Sequence, residues 1–517
     1  MKKITTLILL AFVLTTVSCK KFLNVDPPSN LSGNNFWKSY EDVDNYTNGL
    51  FESFRAATFR SNMKSGAGSD EFPFFPFTGD MRMAPVVENT AAGWQRTYIR
   101  GLRDNNLRLF INPNTWNYSG VNNWNSLFNT SRFFNWDRFF KVVASANILI
   151  DKVPTVDILT DAEKKRFVAE GTFMRNMAYF MMVRLWGDVP YYTNPNNTTP
   201  LTRMDMREVL KNCVTDLASV EKDLPWTYDD PGRRAVRGMR GGALILLMHM
   251  KMWLAGFDEL NAEQHYRDAI DFGVELTTQN GGAYQLLPFE RYREIFRGRS
   301  PEGLFEIPQN INYGERFGWS FISDHVTQFL LTNGTLKTTY MYWETDFLNK
   351  VFPLGRADKR TTNWLKNRTS TNGNFSLIKY ANTFITESVL NIDDSQIVFR
   401  YVDGFLLLAE AYAAIGETSQ AVTNLDIVKN RAGTDPYSGT SMEELKKDIW
   451  DERCRELIGE AHYYYDLVRT KNILNRDLSY SGTVLTTEQF RAGAWTWPLS
   501  DAVRVNNPAV TYNNYWR

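Results

Sequence analysis

Between Glu41 and Arg55 the apolar and aromatic residues Val43, Tyr46, Leu50, Phe51 and Phe54 fall on one stripe of a helix. A second helix is predicted over roughly Asn135 to Val153 and a third over Asp161 to Trp186. The third opens with Thr160-Asp161-Ala162-Glu163, where Thr160 or Asp161 can cap the first-turn amides, and it stops at Gly187-Asp188-Val189-Pro190. Further helices fit Met204–Leu224, Arg234–Ala255, Ala262–Thr277, Phe399–Ile415, Ser419–Ala432 and Met442–Leu457, while strand-like alternation is scarce. Short turns join some of these into hairpins, as at Gly416-Glu417-Thr418, where Ala409, Ala413 and Ala421 let two backbones approach closely. The repeat period is irregular, so the pattern predicts helix pairs, not a regular solenoid.

Three long segments lack a clear period: about 60–132, 280–394 and 475–517. Loops of that length inside a compact domain tend to be functional. The first is rich in Phe72, Phe74, Phe75, Phe77, Trp94, Tyr98, Trp116 and Trp124, and the second in Tyr313, Trp319, Tyr340, Tyr342 and Trp343. Aromatic rings beside Asn, Asp and Arg suit a sugar-binding surface. The C–H face of a pyranose packs on a ring, and its hydroxyls need amide, carboxylate and guanidinium partners. The candidate ligand contacts are Asp70, Arg82, Trp94, Tyr313, Trp319 and Trp343. The carboxylates Asp70, Glu71, Asp80 and Glu88 share the first loop, so a glycosidase pair is a reading to weigh beside binding.

Charge and cysteine usage narrow the class. With 58 basic and 58 acidic residues and no long single-sign run, nothing draws in a polyanion, so no nucleic-acid partner is expected. Lys2-Lys3, the apolar run Ile4–Val17 and the small Ser18 read as a signal peptide over residues 1–18, with Cys19 as the lipid-attachment site. The longest later apolar run, Leu244–Met252, is broken by His249 and Lys251, so lipid is the expected membrane anchor. Cys213 and Cys454 are expected to be two separate buried thiols. Asp42 and Asp44 echo the start of a calcium loop but run into helical sequence without the remaining ligands. There is no H-E-x-x-H, G-x-S-x-G or Walker sequence, and His249, His265, His325 and His462 are scattered. No catalytic residues, metal site or cofactor are expected. Arg400 with Asp403, and Glu452 with Arg453, read as ion pairs locking helices together.

Five segments in order carry a resemblance. These are Cys19-Lys20-Lys21-Phe22-Leu23-Asn24-Val25-Asp26-Pro27-Pro28 with Phe36-Trp37-Lys38-Ser39 and Asp42; the stretch RNMAYFMMVRLWGDVP from Arg175 to Pro190; Phe399 to Ala411; Glu452-Arg453 to Glu456-Leu457 with Glu460, Asp466-Leu467 and Arg469; and Trp497-Pro498-Leu499 with Tyr515-Trp516. Together they resemble the SusD/RagB family of outer-membrane lipoproteins of Bacteroidetes, over essentially the whole mature chain. The resemblance implies a mainly α fold, with four tetratricopeptide-like helix pairs as scaffold and irregular loops forming the ligand face. Residues 19–517 would form one domain, with the scaffold at about 36–60, 133–280 and 395–470 and the loop-rich face at about 60–132 and 280–394. It further implies a non-enzymatic, cell-surface protein that captures an oligosaccharide and passes it to a SusC-like TonB-dependent transporter in the outer membrane. Alternatives are a docking or lid subunit of the transporter with no glycan site of its own, or an oligopeptide cargo. Ala461 and Tyr463 depart from the family pattern, standing where members often carry Gly and Arg.

Overall fold

The computed structural model describes residues 36–58, 74–88, 96–107, 133–309, 341–366 and 394–517, with short stretches between 368 and 392. The expected signal peptide and Cys19 lie outside the described residues. The main helices are α1 (Tyr40–Thr58), α2 (Arg96–Arg103), α3 (Asp137–Lys152), α4 (Asp161–Trp186), α5 (Met206–Ala218), α6 (Arg240–Phe257), α7 (Ala262–Thr278), α8 (Tyr401–Ala414), α9 (Thr418–Ala432), α10 (Met442–Glu456) and α11 (Tyr463–Arg469). Four two-stranded antiparallel ladders are present among the described residues. Two of them matter here: β1 (Val86–Glu88) pairs with β3 (Met341–Trp343), and β2 (Gly303–Ile307) with β4 (Gln396–Arg400).

Helix α4 is the axis of the fold. Thr160 caps it in a reciprocal box: its hydroxyl accepts from the Glu163 amide, and the Glu163 carboxylate accepts from the Thr160 amide at 2.8 Å. From Phe167 onward almost every side is buried, as expected of a helix that is apolar all round. Its two inward arginines are both engaged: Arg175 donates to Asn147 and Asp216, and Arg184 lies over the rings of Phe180 and Tyr465. The helix ends at Gly187, whose φ of +73° an L side chain adopts only under strain. Around it α3 pairs with α4, α6 with α7 and α8 with α9, while α5 bridges α4 to α6 and α8 packs on α7. Ala409, Ala413 and Ala421 join Leu425, Leu445 and Ile449 in one cluster where α8, α9 and α10 meet. No described helix is long and apolar enough to cross a membrane.

Two predicted boundaries are corrected. The helix expected from Arg234 starts only at Arg240, because Pro231–Arg233 forms a 3-10 turn and Ala235 takes a φ of +58°. The helix expected from Phe399 starts at Tyr401, because Phe399 and Arg400 are extended and pair with Phe305 and Gly303. The two thiols and the two aspartates of α1 are accounted for by packing. Cys213 and Cys454 are unpaired and buried, and burial pushes both thiols well up. Asp42 caps α1 by accepting from the Lys38 and Ser39 amides, and Asp44 grips Arg233 at 2.9 Å and Arg237 at 3.1 Å, which employs both carboxylates of the calcium echo in structure.

The motif charges are buried and paired, but not with the neighbours the sequence suggested: Asp403 pairs with Arg453, and Arg400 and Glu452 join a larger cluster. Arg360 meets Glu452 at 2.6 Å and Glu456 at 2.9 Å; Arg400 meets Glu456 at 2.9 Å and Glu460 at 2.6 Å; Arg431 meets Glu302 at 2.7 Å and also Glu456; and Lys379 meets Glu460. Four cations and four carboxylates from segments far apart in sequence thus neutralise one another out of water. Burial opposes ionisation of Glu452, but Arg360 and Arg455 overcome it and hold its carboxyl down to about 2.

One buried carboxylate behaves oppositely. Glu306 in β2 is raised to about 7 by burial, with the Arg299 amide donating to it at 2.7 Å in partial compensation. A carboxyl whose folded value lies above its unfolded value contributes stability at low pH that is lost as pH rises through 7. Glu306→Gln should therefore gain on the native protein between about pH 5 and pH 8, by on the order of 3 kcal/mol. Scanning calorimetry of both proteins at several pH values checks this, and parallel melting curves would contradict it.

Candidate functional site

The two long aromatic segments meet at one place. Val86 lies opposite Trp343, Val87 opposite Tyr342 and Glu88 opposite Met341, so β1 from the first segment and β3 from the second form one ladder. The Glu344 amide donates to the Pro85 carbonyl at 2.8 Å and extends the join. Helix α2 packs against β1, and Arg100 and Arg103 both clasp the Glu88 carboxylate. Because side chains alternate along a strand, Val86 and Trp343 point inward and are buried. Val87 and Tyr342 share the opposite, half-buried face. The outward aromatic of this platform is therefore Tyr342, while the exposed Arg100 holds Glu88 on the face of Val86.

Two of the candidate ligand contacts are corrected by this geometry. Arg82 is fully buried: its guanidinium donates to Asn105 at 2.8 Å and to the carbonyls of Ala494 and Thr496 at 2.9 and 3.0 Å, and it lies 4.6 Å from the Tyr464 ring. It ties the first loop to the C-terminal segment. Trp343 is 4 % exposed and faces a cavity of about 10 Å³ bordered by Asp80, His462 and Tyr463, room for a single water and not for a sugar. Asp70, Trp94, Tyr313 and Trp319 lie outside the described residues. In the chain, Trp94 lies between Glu88 of β1 and Arg96 of α2, and Tyr313 and Trp319 lie between Ile307 of β2 and Met341 of β3. Tyr342, which sequence reasoning passed over for its neighbour, was findable only from the strand register.

Beneath the platform, a wide helical turn, Pro76–Met81, docks on α11. Gly79 approaches the chain so closely that a Cβ there would stand 2.2 Å from the Ala461 carbonyl oxygen. Asp80 accepts from the Ala461 amide at 2.9 Å, and burial holds its carboxyl well above the usual range. Ala461 has a φ of +64°, the left-handed conformation that suits the glycine often found there in the family. Neither Asp80 nor Glu88 is placed to flank a scissile sugar bond, the first being sealed in the core and the second clasped by two arginines.

The scattered histidines are not all scattered in space. His249 and His462 converge with Asp403 inside the core, their potential ligand atoms within 4.8 Å of one another. The donor set suits a transition metal, but both carboxylate oxygens are engaged: Oδ2 meets His249 Nε2 at 2.6 Å and Oδ1 accepts from Arg453 at 2.8 Å. Burial lowers the pKa of His249 and brings that of His462 down to about 4, so the imidazoles are neutral at physiological pH and Arg453 supplies the cation. The cluster works as a lock between α6, α8 and α11.

Comparison with known proteins agrees with this architecture. Residues 349–516 match the SusD family, and residues 82–237 match a family described as "Starch-binding associating with outer membrane". SusD-like protein P25 of Formosa agariphila is 24% identical over 518 residues, covering 92% of each chain. A solved SusD homolog from Bacteroides thetaiotaomicron VPI-5482 is 35% identical, with a TM-score of 0.81 over 92% of this chain and 98% of that one. Surface glycan-binding protein A from Bacteroides uniformis shares the fold at 18% identity, with a TM-score of 0.67 over 92% of this chain and all of that one. With its mainly helical fold and a 35% identical homolog matched from end to end, this chain belongs to the SusD family.

Proposed function

We propose that the protein is a surface glycan-binding lipoprotein of the outer membrane. In this reading it is anchored by lipid at Cys19, holds an oligosaccharide on its loop face and passes it to a SusC-like TonB-dependent transporter without transforming it. The observation that carries the reading is the β1–β3 ladder. It draws two aromatic-rich segments, more than 250 residues apart in sequence, onto one platform with Tyr342 on its half-buried face. The glycan-binding relative of the same fold supports the choice of ligand class. Asp70, Trp94, Tyr313 and Trp319 remain the proposed contacts on the segments leading to and from this platform.

Each ring that covers about 100 Å² of sugar contributes about 2.5 kcal/mol before association costs. Two or three rings then give micromolar to millimolar affinity, which suits a protein that must release its cargo. Calorimetry against a panel of oligosaccharides tests the proposal, with the Trp94→Ala/Trp319→Ala double variant alongside. The native protein should bind at least one glycan, and the variant should bind it at least tenfold more weakly. Full-strength binding by the variant would place the glycan elsewhere, and no binding to any glycan would remove the proposal.

A further inference from the structure

A cleft of about 500 Å³ opens between the turn after α4 and residues 490–517, and no platform residue lines it. Its charge is one-sided: Arg203, Arg491 and Arg517 line it against a single carboxylate side chain, Asp188. Asp188 is already engaged, its Oδ1 accepting from the Met206 amide at 2.9 Å. Arg203 donates to the carbonyls of Asp188 and Trp186, each at 2.7 Å, and of Thr511 at 3.0 Å, with no ion pair among the described residues. Its hydrogen bonds all go to neutral carbonyls, and the nearby Asp188 carboxylate favours its charge without a direct ion pair.

The other donors are free to receive a ligand. Arg491 and Asn514 are exposed and make no hydrogen bond with a described residue, and Arg517 uses only its Nε, toward the Tyr512 carbonyl. Glu259, whose carboxylate Arg491 influences, is paired with Lys471. The cleft also offers rings. Phe257 is already stacked by Trp253 at 5.5 Å and Phe490 at 5.8 Å, with Trp495 at 5.3 Å, whereas the half-buried Tyr512 lines the cleft with the Arg504 guanidinium 5.2 Å from its ring. A volume of this size suits a small ligand with several contact points.

We infer that this cleft is a second binding site, selective for an anionic oligosaccharide whose carboxylate or sulfate groups pair with Arg491 and Arg517 while a pyranose face packs on Tyr512. Guanidinium forks meet such anions with two parallel hydrogen bonds, and with three arginine side chains against one carboxylate side chain the lining favours an anion. The choice of a sugar over other anions rests on the glycan reading above; the charge selectivity does not.

The test measures binding of hexagalacturonate, a sulfated carrageenan hexasaccharide and neutral maltohexaose to the full protein, to Arg491→Gln/Arg517→Gln and to Trp94→Ala/Trp319→Ala. Arg491 and Arg517 are exposed, so circular dichroism should show native folding in the arginine variant, and the same measurement is made on the tryptophan variant. At least one acidic hexasaccharide should bind tighter than maltohexaose, weaken as salt is raised, and lose at least tenfold in affinity in the arginine variant while the tryptophan variant retains it. Response to galacturonate alone identifies carboxylate as the recognised group, and response to carrageenan alone identifies sulfate. Acidic sugars that bind no tighter than maltohexaose, or equally to native protein and arginine variant, overturn the inference. Sensitivity of the acidic sugar only to the tryptophan pair overturns it while leaving the loop-face reading intact, whereas the loop-face reading itself falls if no glycan, neutral or acidic, binds more weakly to the tryptophan variant.

Discussion

Arg400→Met should lower the unfolding free energy by about 3–5 kcal/mol, the usual consequence of removing one partner from a buried ion cluster. Methionine fills much of the same volume, so the loss is electrostatic more than steric. Arg400 is the shared partner of Glu456 and Glu460 and lies 3.5 Å from Glu302, and all three carboxylates are fully buried. Without it Glu460 retains Lys379, and Glu456 retains Arg360 and Arg431. The cluster is left one cation short inside the protein.

The pH dependence separates this cause from a packing defect. In the native protein burial opposes the charge on Glu456, but Arg431, Arg400 and Arg360 hold its carboxyl far below the ordinary range. A carboxyl depressed on folding stabilises the protein above its unfolded value and loses that contribution as pH falls toward its folded value. Native stability should therefore fall steeply between about pH 4.5 and pH 2. In the variant the unpaired carboxylates accept protons at higher pH, which relieves the defect, so its deficit should shrink as pH is lowered. Guanidinium unfolding at pH 7 and pH 4.5 measures both quantities, and a deficit of equal size at the two values would mean that packing, not charge, is at fault.

Gly79→Ala should be the most damaging substitution at the platform, costing more than about 3 kcal/mol and weakening glycan capture with it. The added methyl would meet the oxygen, carbon and Cα of Ala461 at 2.2 to 2.5 Å, and all three are backbone atoms that no rotamer change can move. The turn would have to lift from α11, breaking the hydrogen bond from the Ala461 amide to Asp80 and loosening the base of the platform. Gly482→Ala, where a methyl meets nothing within 4 Å, serves as the control and should leave melting and binding unchanged. Native-like melting in Gly79→Ala would show that the turn is not held as closely as described.

Much of the helical frame can be read from the sequence because its signals are local. The Thr160–Glu163 box and Gly187 delimit α4 within the chain itself, and the Ala409, Ala413 and Ala421 contacts follow from a hairpin with a three-residue turn. What escapes the sequence depends on distant partners. Phe399 and Arg400 continue a helix-like apolar pattern but are extended because Gly303–Ile307, about a hundred residues earlier, pairs with them. Arg82 looks like a ligand contact because a charged residue in a loop is normally exposed, and the carbonyls that satisfy it lie more than 400 residues away. Trp343 and Tyr342 exchange roles through a one-residue difference in strand register, which reverses every side chain. His249 and His462 meet only because Asp403 is held between their helices.

The central claim is that the joined loop segments form the glycan-binding face while the helical hairpins serve as frame. Hydrogen exchange with and without a saturating oligosaccharide tests this most directly. The account predicts slowed exchange in residues 59–73, 89–107 and 310–344, with α8, α9 and α10 unchanged. Protection confined to those helices, with none in the loop segments, would contradict it.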